Sequence, residues 1–270
     1  MKLELIKKKI RWTSERYMYL YTGVIPFHGN FSLKKYRELK KDRKKILRQA
    51  KESDIKFPIT KLWPCYSDKD DDAGSLSLHY FFQDLFVAQR IFSNAPVRHV
   101  DIGSRIDGFV AHVASFRKVE VFDIRPLETE IPNVTFKQLD IMNKDGIEKN
   151  SILSLSCLHA LEHFGLGRYG DPINFEGFKI GFDNITDLLQ KDGKFYFSVP
   201  IGQQRIEFHA HRVFSISYLL EMITPHYQID MFSFVNDQNN FHQNITLTKD
   251  LIENNCGCKY GCGIFELTKI

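Results

Sequence analysis

Apolar strand-like runs alternate with helical segments from residue 97 to 199, and this alternation restricts the fold more than any other feature. Strands are predicted at five places, 97–102, 119–122, 134–139, 151–158 and 194–199. Helices are predicted at 108–116 and in a stretch that ends near Gln190, where Asp192 and Gly193 stop it. Because such alternation builds parallel sheets covered by helices on both faces, we predict an α/β, doubly wound, mostly parallel sheet.

The segments on either side of this core are less regular. After Pro200 we predict a helix at 215–222, strands at 227–235 and 263–269, and a polar, Asn-rich surface loop at 236–255. Residues 1–95 are predicted to form a partly helical N-terminal extension, and residues 96–270 the main domain.

Two helices are predicted in the extension. The strongly basic stretch 34–51 has apolar residues at helical spacing, which is typical of a solvated helix or of one that contacts anionic lipid or phosphate. The stretch 76–92 is apolar at intervals of three and four residues, so we predict a helix packed just before the first strand and closing one side of a ligand site.

Charge and composition favour a cytoplasmic protein without nucleic acid. The net charge is only +4 over 270 residues, much of it in one N-terminal run, and the five cysteines form a poor disulfide framework. The N-terminal basic residues lack a following apolar region, and the apolar stretch 17–27 is shorter than the roughly 20 residues that span a bilayer. We therefore expect a reducing compartment and no transmembrane segment.

Acidic residues end three successive predicted strands. Asp101 is followed by a turn that contains Gly103 and Gly108, Asp123 lies about 20 residues further on, and Asp140 ends the third strand. An acid at the second of these positions is spaced to accept hydrogen bonds from ribose hydroxyls, and ligands of open parallel sheets bind at the carboxyl ends of strands. The three acids therefore predict a nucleotide-type cofactor site.

A second group of polar residues follows the fourth strand. The run from Ser156 to Pro172 reads SCLHALEHFGLGRYGDP, and FHAHR follows the fifth strand. Because histidine is the usual base at neutral pH, His163 is the first candidate for a general base and His211 the second. Glu162 is expected to orient an imidazole or to act as a weaker base.

These motifs resemble the class I S-adenosylmethionine-dependent methyltransferases over about residues 97–269, including a Leu-Glu-His triplet at 161–163. The resemblance implies a Rossmann-like sheet in which the last two strands form an antiparallel pair. It also implies S-adenosylmethionine as the cofactor. The residues implied to contact that cofactor are Asp101, Gly103 and Ser104 for the methionine moiety, Asp123 for ribose, Asp140 with Ile141 for adenine, and Ile124 and Cys157 beside them.

The runs HALEHFGLGRYGDP and FHAHRVFS also resemble a little-characterised bacterial methyltransferase-like family, some of whose members are associated with surface-polysaccharide synthesis. The resemblance implies O-methylation of a carbohydrate or another small hydroxylated acceptor. The expected acceptor contacts are His159, Arg168, Tyr169, His209 and Arg212. The alternative is a non-catalytic protein of the same fold that binds cofactor or partners in polysaccharide assembly, and a homo-oligomer is left open.

Arg105 departs from the family pattern, because it stands where a second glycine is usual. A dinucleotide turn needs that glycine for the close approach of the pyrophosphate, so Arg105 disfavours a nicotinamide cofactor.

Metal sites compete with this interpretation. His159-x-x-Glu162-His163 fits the pattern of inverted zinc peptidases, but the glycines that follow would break the long helix that this pattern requires. A divalent ion held by these three residues with His209 or His211 would assist methyl transfer. Cys256, Cys258 and Cys262 do not have a common zinc spacing, so free cysteines are favoured there. A divalent metal at the histidines stays an alternative, but none is expected.

Overall fold

A computed structural model describes residues 32–55, 57–59, 62, 64–66, 69, 78–143 and 145–270. The chain divides into two compact units, Met1–Ser75 and Leu76–Ile270. The apolar stretch 17–27 and the start of the extension lie outside the described residues. No helix within the described ranges combines the length and the apolarity needed to cross a bilayer.

In the first unit, helix α1 spans Leu33–Glu52, as the sequence predicts. Ser32 caps it, because its side chain accepts a hydrogen bond from the backbone amide of Lys35 at 3.2 Å. None of its residues is buried, which fits a basic helix with a solvated surface.

The second unit contains ten strands and five further helices among the residues described. The strands are β1 (His99–Ile102), β2 (Val119–Asp123), β3 (Val134–Gln138), β4 (Ile152–Leu158), β5 (Leu189–Ile201), β6 (Arg205–Glu207), β7 (His211–Val213), β8 (Tyr227–Val235), β9 (Phe241–His242) and β10 (Gly261–Lys269). The helices are α2 (Leu78–Asn94), α3 (Ala111–Ala114), α4 (Gly177–Leu188), α5 (Ile216–Ile223) and α6 (Lys249–Glu253).

Eight of the strands form one sheet in the order β3-β2-β1-β4-β5-β10-β8-β9, and β6 pairs with β7 separately. The first five are parallel, whereas β10 runs antiparallel to both β5 and β8. The predicted doubly wound α/β sheet with a terminal antiparallel pair is therefore confirmed. The central strands are buried on both faces, which explains their nearly continuous apolar sequences.

Helix α2 belongs to the second unit and not to a separate extension that ends at residue 95. Its apolar side is buried, with Val87 and Ile91 at most 1% exposed. Arg90 also forms an ion pair with Glu266 of β10, with Nε and Oε2 2.7 Å apart. Packing against the sheet thus places the boundary before α2, which the sequence pattern did not predict.

Two predicted elements differ from the structure. In place of a helix over 108–116, a π-type turn at Ile106–Val110 leads into the short α3, because Gly108 has a non-helical backbone that passes close to Asp84. The expected loop at 236–255 contains β9, which pairs with the end of β8, and α6, whose first turn is capped by Thr248.

Candidate functional site

A cleft of about 270 Å³ opens at the carboxyl ends of the first four strands. Its lining residues are Tyr80, Ile102, Gly103, Arg105, Phe122, Asp123, Ile124, Arg125, Leu139, Asp140, Ile141, Met142, Leu158, His159, Ala160, His163, Phe164, Arg168, Tyr169 and Asp171. Most of the sequence-predicted cofactor residues and several predicted acceptor residues therefore share one cavity.

The turn after β1 brings backbone to the cleft wall. Asp101 is fully buried and accepts hydrogen bonds from the backbone amide of Ser104 at 3.0 Å and from its hydroxyl at 2.7 Å. Gly103 between them has φ +70°, and a Cβ there would lie 3.0 Å from the Cβ of Ala160. Gly103 lines the cleft, whereas Asp101 and Ser104 do not, because their side chains bond to each other to hold the turn.

Burial raises the pKa of Asp101 to about 7, although hydrogen bonds from Ser156 and Ser104 act in the opposite direction. Removal of the carboxylate from water disfavours its charged form more than three hydrogen bonds favour it. This residue is therefore placed to shape the loop and not to contact a ligand directly.

Asp123 ends β2 at the cleft and is bound by a neighbouring arginine. Nε and Nη2 of Arg125 contact the two carboxylate oxygens at 3.0 and 2.7 Å. The guanidinium of Arg125 also lies 4.6 Å from the ring centre of Tyr169. Sequence reasoning missed Arg125, although a basic residue two places after a strand-terminal acid was a readable signal.

The two residues that the resemblance implies for adenine binding both lie at the cleft. Asp140 and Ile141 line the cleft beyond β3, and Oδ1 of Asp140 accepts the backbone amide of Met142 at 2.9 Å. Cys157 does not line the cleft, because its side chain on β4 is fully buried in the apolar core. Burial raises the pKa of its thiol well above the ordinary value.

His163 lies in a short 3-10 turn, Leu161–His163, at the edge of the cleft. Its Nδ1 lies 2.7 Å from the carbonyl oxygen of Ala210, so Nδ1 carries the proton and Nε2 carries the lone pair. Burial lowers the pKa of His163, and nearby Glu162 only partly offsets this effect. The imidazole is therefore neutral at pH 7 and can accept a proton.

Glu162 is buried between two histidines. Its Oε1 lies 2.8 Å from Nδ1 of His159 and 3.7 Å from Nε2 of His163, while its Oε2 has no hydrogen-bond partner among the residues described. Burial opposes its ionisation, but His159 holds the pKa of Glu162 below the ordinary value.

The pKa of His159 is shifted in the opposite direction to that of Glu162. Burial would lower its pKa, but Cys262 and Glu162 together keep the pKa of His159 well above the ordinary value. Its backbone has φ +50°, a conformation that is strained for histidine.

The segment after β5 contributes less than the sequence indicates. His211 contacts Glu207 at 3.4 Å and does not line the cleft, and His209 is exposed with φ +66°. Arg212 is buried and donates hydrogen bonds to the backbone oxygens of Phe164 and Phe175, so it braces the loop instead of facing an acceptor. Arg168 does line the cleft, 5.1 Å from the ring centre of Tyr169.

The alternative metal sets are not assembled as the sequence suggested. The 3-10 turn has only three residues, so His159 and His163 do not share the face of a sustained helix as an inverted zinc peptidase requires. His211 is directed to Glu207 instead of to Glu162. A different group of three, His79, His159 and Cys262, brings metal-ligand atoms within 4.8 Å of one another.

Tyr80 and Arg105 both line the cleft and contact each other. The guanidinium of Arg105 lies 5.2 Å from the ring centre of Tyr80 and forms an ion pair with Asp107 at 2.8 Å. Tyr80 lies on α2, so the helix predicted to close one side of the ligand site does contribute to its wall.

Comparison with known proteins finds a match to one family model over part of the chain, and a likeness in fold to solved structures. A family described as "Caenorhabditis protein of unknown function, DUF268" matches residues 127–257. A search of curated proteins finds no match.

Among solved structures, the [4+2]-cyclase SpnF aligns with a TM-score of 0.51 at 13% identity, over 69% of this chain and 80% of its own. A phosphoethanolamine N-methyltransferase 2 from Haemonchus contortus, solved with phosphomonomethylethanolamine and S-adenosylhomocysteine, aligns with a TM-score of 0.50 at 13% identity, over 73% of this chain and 55% of its own. At this identity the likeness concerns the fold alone. The second unit therefore has the Rossmann-like fold of these solved proteins, with its cleft at the carboxyl ends of the parallel strands.

Proposed function

We propose that this protein is an S-adenosylmethionine-dependent methyltransferase that acts on the hydroxyl of a carbohydrate or another small acceptor. The observation that carries the proposal is the convergence of Gly103, Asp123 and Asp140 with a neutral His163 on one cleft. A ligand in this cleft would contact the backbone at Gly103 after β1, the carboxylate of Asp123 at the end of β2 and the polar loop at Asp140 after β3. Open parallel sheets bind ligands at this edge, outside the carboxyl ends of their strands.

The backbone turn at Gly103 leaves room in the cleft for such a cofactor. The absence of a side chain at Gly103 leaves space beside Ala160 that a Cβ would partly fill. Asp123 would accept hydrogen bonds from the ribose hydroxyls, and Asp140 with Ile141 would contact adenine. When bound, S-adenosylmethionine supplies a methyl group on a sulfonium, which is transferred by in-line displacement.

The residues of the chain would align the acceptor and remove its proton. Nε2 of His163 is the basic nitrogen, because Nδ1 carries the proton and donates a hydrogen bond to the carbonyl oxygen of Ala210. Glu162, 3.7 Å from Nε2, would stabilise the imidazolium that forms. The guanidiniums of Arg125 and Arg168 lie 4.6 and 5.1 Å from the ring centre of Tyr169, and two cations at this place would suit an acceptor with an anionic group.

One observation favours the second candidate function, a non-catalytic protein of the same fold. Both carboxylate oxygens of Asp123 are already occupied by Arg125, so a ribose must share or displace this contact. SpnF, described as a cyclase, also illustrates that one fold supports several activities.

Calorimetric titration with S-adenosylmethionine, S-adenosylhomocysteine and NAD tests the proposal. We expect the first two to bind and NAD not to bind. If neither S-adenosylmethionine nor S-adenosylhomocysteine binds, the proposed enzyme activity is overturned. If they bind but no hydroxylated acceptor in a broad panel is methylated, the non-catalytic candidate is favoured. A cytoplasmic location, a role in polysaccharide synthesis and homo-oligomerisation stay predictions.

A further inference from the structure

Three side chains with metal-binding atoms meet where His159 lines the cleft, and the proton transfer proposed for His163 uses none of them. They are His79 from the first turn of α2, His159 after β4, and Cys262 from β10. All three residues are buried, and one ligand atom from each lies within 4.8 Å of the other two. Their exposed fractions are 8%, 7% and 0%.

One ring nitrogen of His159 is hydrogen-bonded to a carboxylate, as is usual for histidines that bind a metal. Its Nδ1 is bonded to Oε1 of Glu162 at 2.8 Å, which leaves Nε2 as the free nitrogen. This Nε2 is buried and has no hydrogen-bond partner among the described residues. Histidines that ligate zinc usually bond their other ring nitrogen to a carboxylate or carbonyl, which fixes the ring and the tautomer.

The backbone of His159 also indicates a function for this position. A left-handed φ of +50° at a histidine costs free energy, and such strain concentrates where the surrounding structure holds a side chain for binding or catalysis. The strained backbone places the ring in a stack with His79, with centroids 5.5 Å apart and planes inclined by 19°.

We propose that His79, His159 and Cys262 bind a zinc ion, with Glu162 as the carboxylate that orients His159. Two imidazoles and one thiolate form a nitrogen and sulfur donor set of the kind that zinc takes. Ligand atoms of a tetrahedral zinc lie about 3.4–3.6 Å apart, so the group would contract slightly on binding.

The fourth zinc ligand would come from an adjoining cavity of about 380 Å³. His79 and His159 lie in its wall together with Tyr80, Asn236, Asp237, Asn239 and Tyr260. A water molecule or a hydroxyl group of a substrate would complete the coordination from this cavity. Three protein ligands and one open position are typical of catalytic and not of structural zinc.

Metal content of the full-length chain tests the proposal. The protein is stripped with a chelator and dialysed against Zn²⁺ or Co²⁺, and bound metal is counted by mass spectrometry. We expect one ion per chain, and a thiolate-to-cobalt charge-transfer absorption in the Co²⁺ form. Cys262→Ser should abolish this absorption, while the control Cys258→Ser should keep it, because the Cys258 thiol contacts the carbonyl of Cys256 instead.

X-ray absorption at the zinc edge of the unsubstituted protein keeps the proposal testable if Cys262→Ser does not fold. One sulfur at about 2.3 Å and nitrogen or oxygen ligands at about 2.0–2.1 Å are expected. Two or three sulfurs would assign the metal to Cys256, Cys258 and Cys262 and overturn the proposal. If the unsubstituted chain retains neither Zn²⁺ nor Co²⁺, the zinc proposal is also overturned. The group is then a contact between the Cys262 thiol and the His159 imidazole without a metal.

Discussion

The carbonyl oxygen of Ala210 lies 2.7 Å from Nδ1 of His163, and this single contact decides which nitrogen of the imidazole is basic. The proton on Nδ1 is held by the carbonyl, so the lone pair is on Nε2, 3.7 Å from the carboxylate of Glu162. A carbonyl, an imidazole and a carboxylate are thus arranged to create and stabilise one positive charge during proton transfer.

Replacement of His163 by alanine should lower methyl-transfer turnover by about 10²–10⁴-fold, because the general base is lost. The affinity for S-adenosylmethionine should stay within about 2-fold, corresponding to less than 0.5 kcal/mol. Turnover and calorimetric affinity are measured on the same preparation. The control His226→Ala changes an exposed histidine and should leave both unchanged. Equal losses of affinity and turnover in His163→Ala would contradict a role as base.

The pH dependence of kcat/KM should report the same imidazole. Burial lowers the pKa of His163 below the ordinary 6.5, so the base is neutral above that lowered value and becomes protonated below it. Activity should therefore be constant around neutrality and fall on an acidic limb below pH 6.5. Glu162→Gln removes a charge that raises this pKa, so the limb should move to still lower pH. A limb that moves upwards would contradict the assignment.

Asp123→Asn should weaken S-adenosylmethionine binding by about 10-fold or more, because a charge-assisted hydrogen bond to ribose is replaced by a neutral one. The matched control is Glu120→Gln, which removes a similar bidentate pair with Arg98 from the same strand but outside the cleft. Calorimetry should show unchanged affinity in the control. Equal affinity in both variants would exclude Asp123 from the ribose site.

Gly103→Ala should destabilise the fold and reduce cofactor binding, whereas Gly257→Ala should only destabilise it. Both glycines have φ +70°, so each substitution carries a strain of about 1–2 kcal/mol. A Cβ at Gly103 lies 3.0 Å from Ala160 in the cleft wall, whereas one at Gly257 meets nothing within 4 Å. Denaturant unfolding and calorimetry separate the two effects. An alanine at 103 that leaves cofactor affinity intact would show that the turn does not contact the ligand.

The buried carboxyl of Asp101 should make stability depend on pH. Its pKa rises from 3.8 to about 7 on folding, so the native state binds more protons than the unfolded state between these values. The contribution of Asp101 to the free energy of unfolding therefore decreases as pH rises through that window. Asp101→Asn removes this slope.

Urea unfolding of both proteins from pH 4 to 7 measures the effect. The stability advantage of the unsubstituted chain over Asp101→Asn should shrink as pH rises. Glu253→Gln, which removes an exposed carboxylate, serves as the control for the loss of one negative charge. An advantage over Asp101→Asn that grows with pH would show that the carboxyl is ionised and stabilising throughout.

The sequence by itself determined the order of the strands along the chain and the edge of the sheet at which the cleft opens. Both depend on local patterns, since short apolar runs bounded by turns predict strands, and parallel strands place their carboxyl ends together. Asp123, Asp140 and His163 could be located for this reason. The break of helix at Gly108 was missed because it results from the close approach of Asp84, a residue from another element.

Only the tertiary structure decided which of these side chains face the cleft. Asp101 and Cys157 end or occupy predicted strands, yet both point into buried surroundings, because burial depends on what packs across the sheet. His79 and Cys262 meet His159 only after β10 pairs with β5 and α2 packs against β10, which no local pattern encodes. Contacts between residues far apart in the chain are set by packing, and the proposed zinc site depends entirely on such contacts.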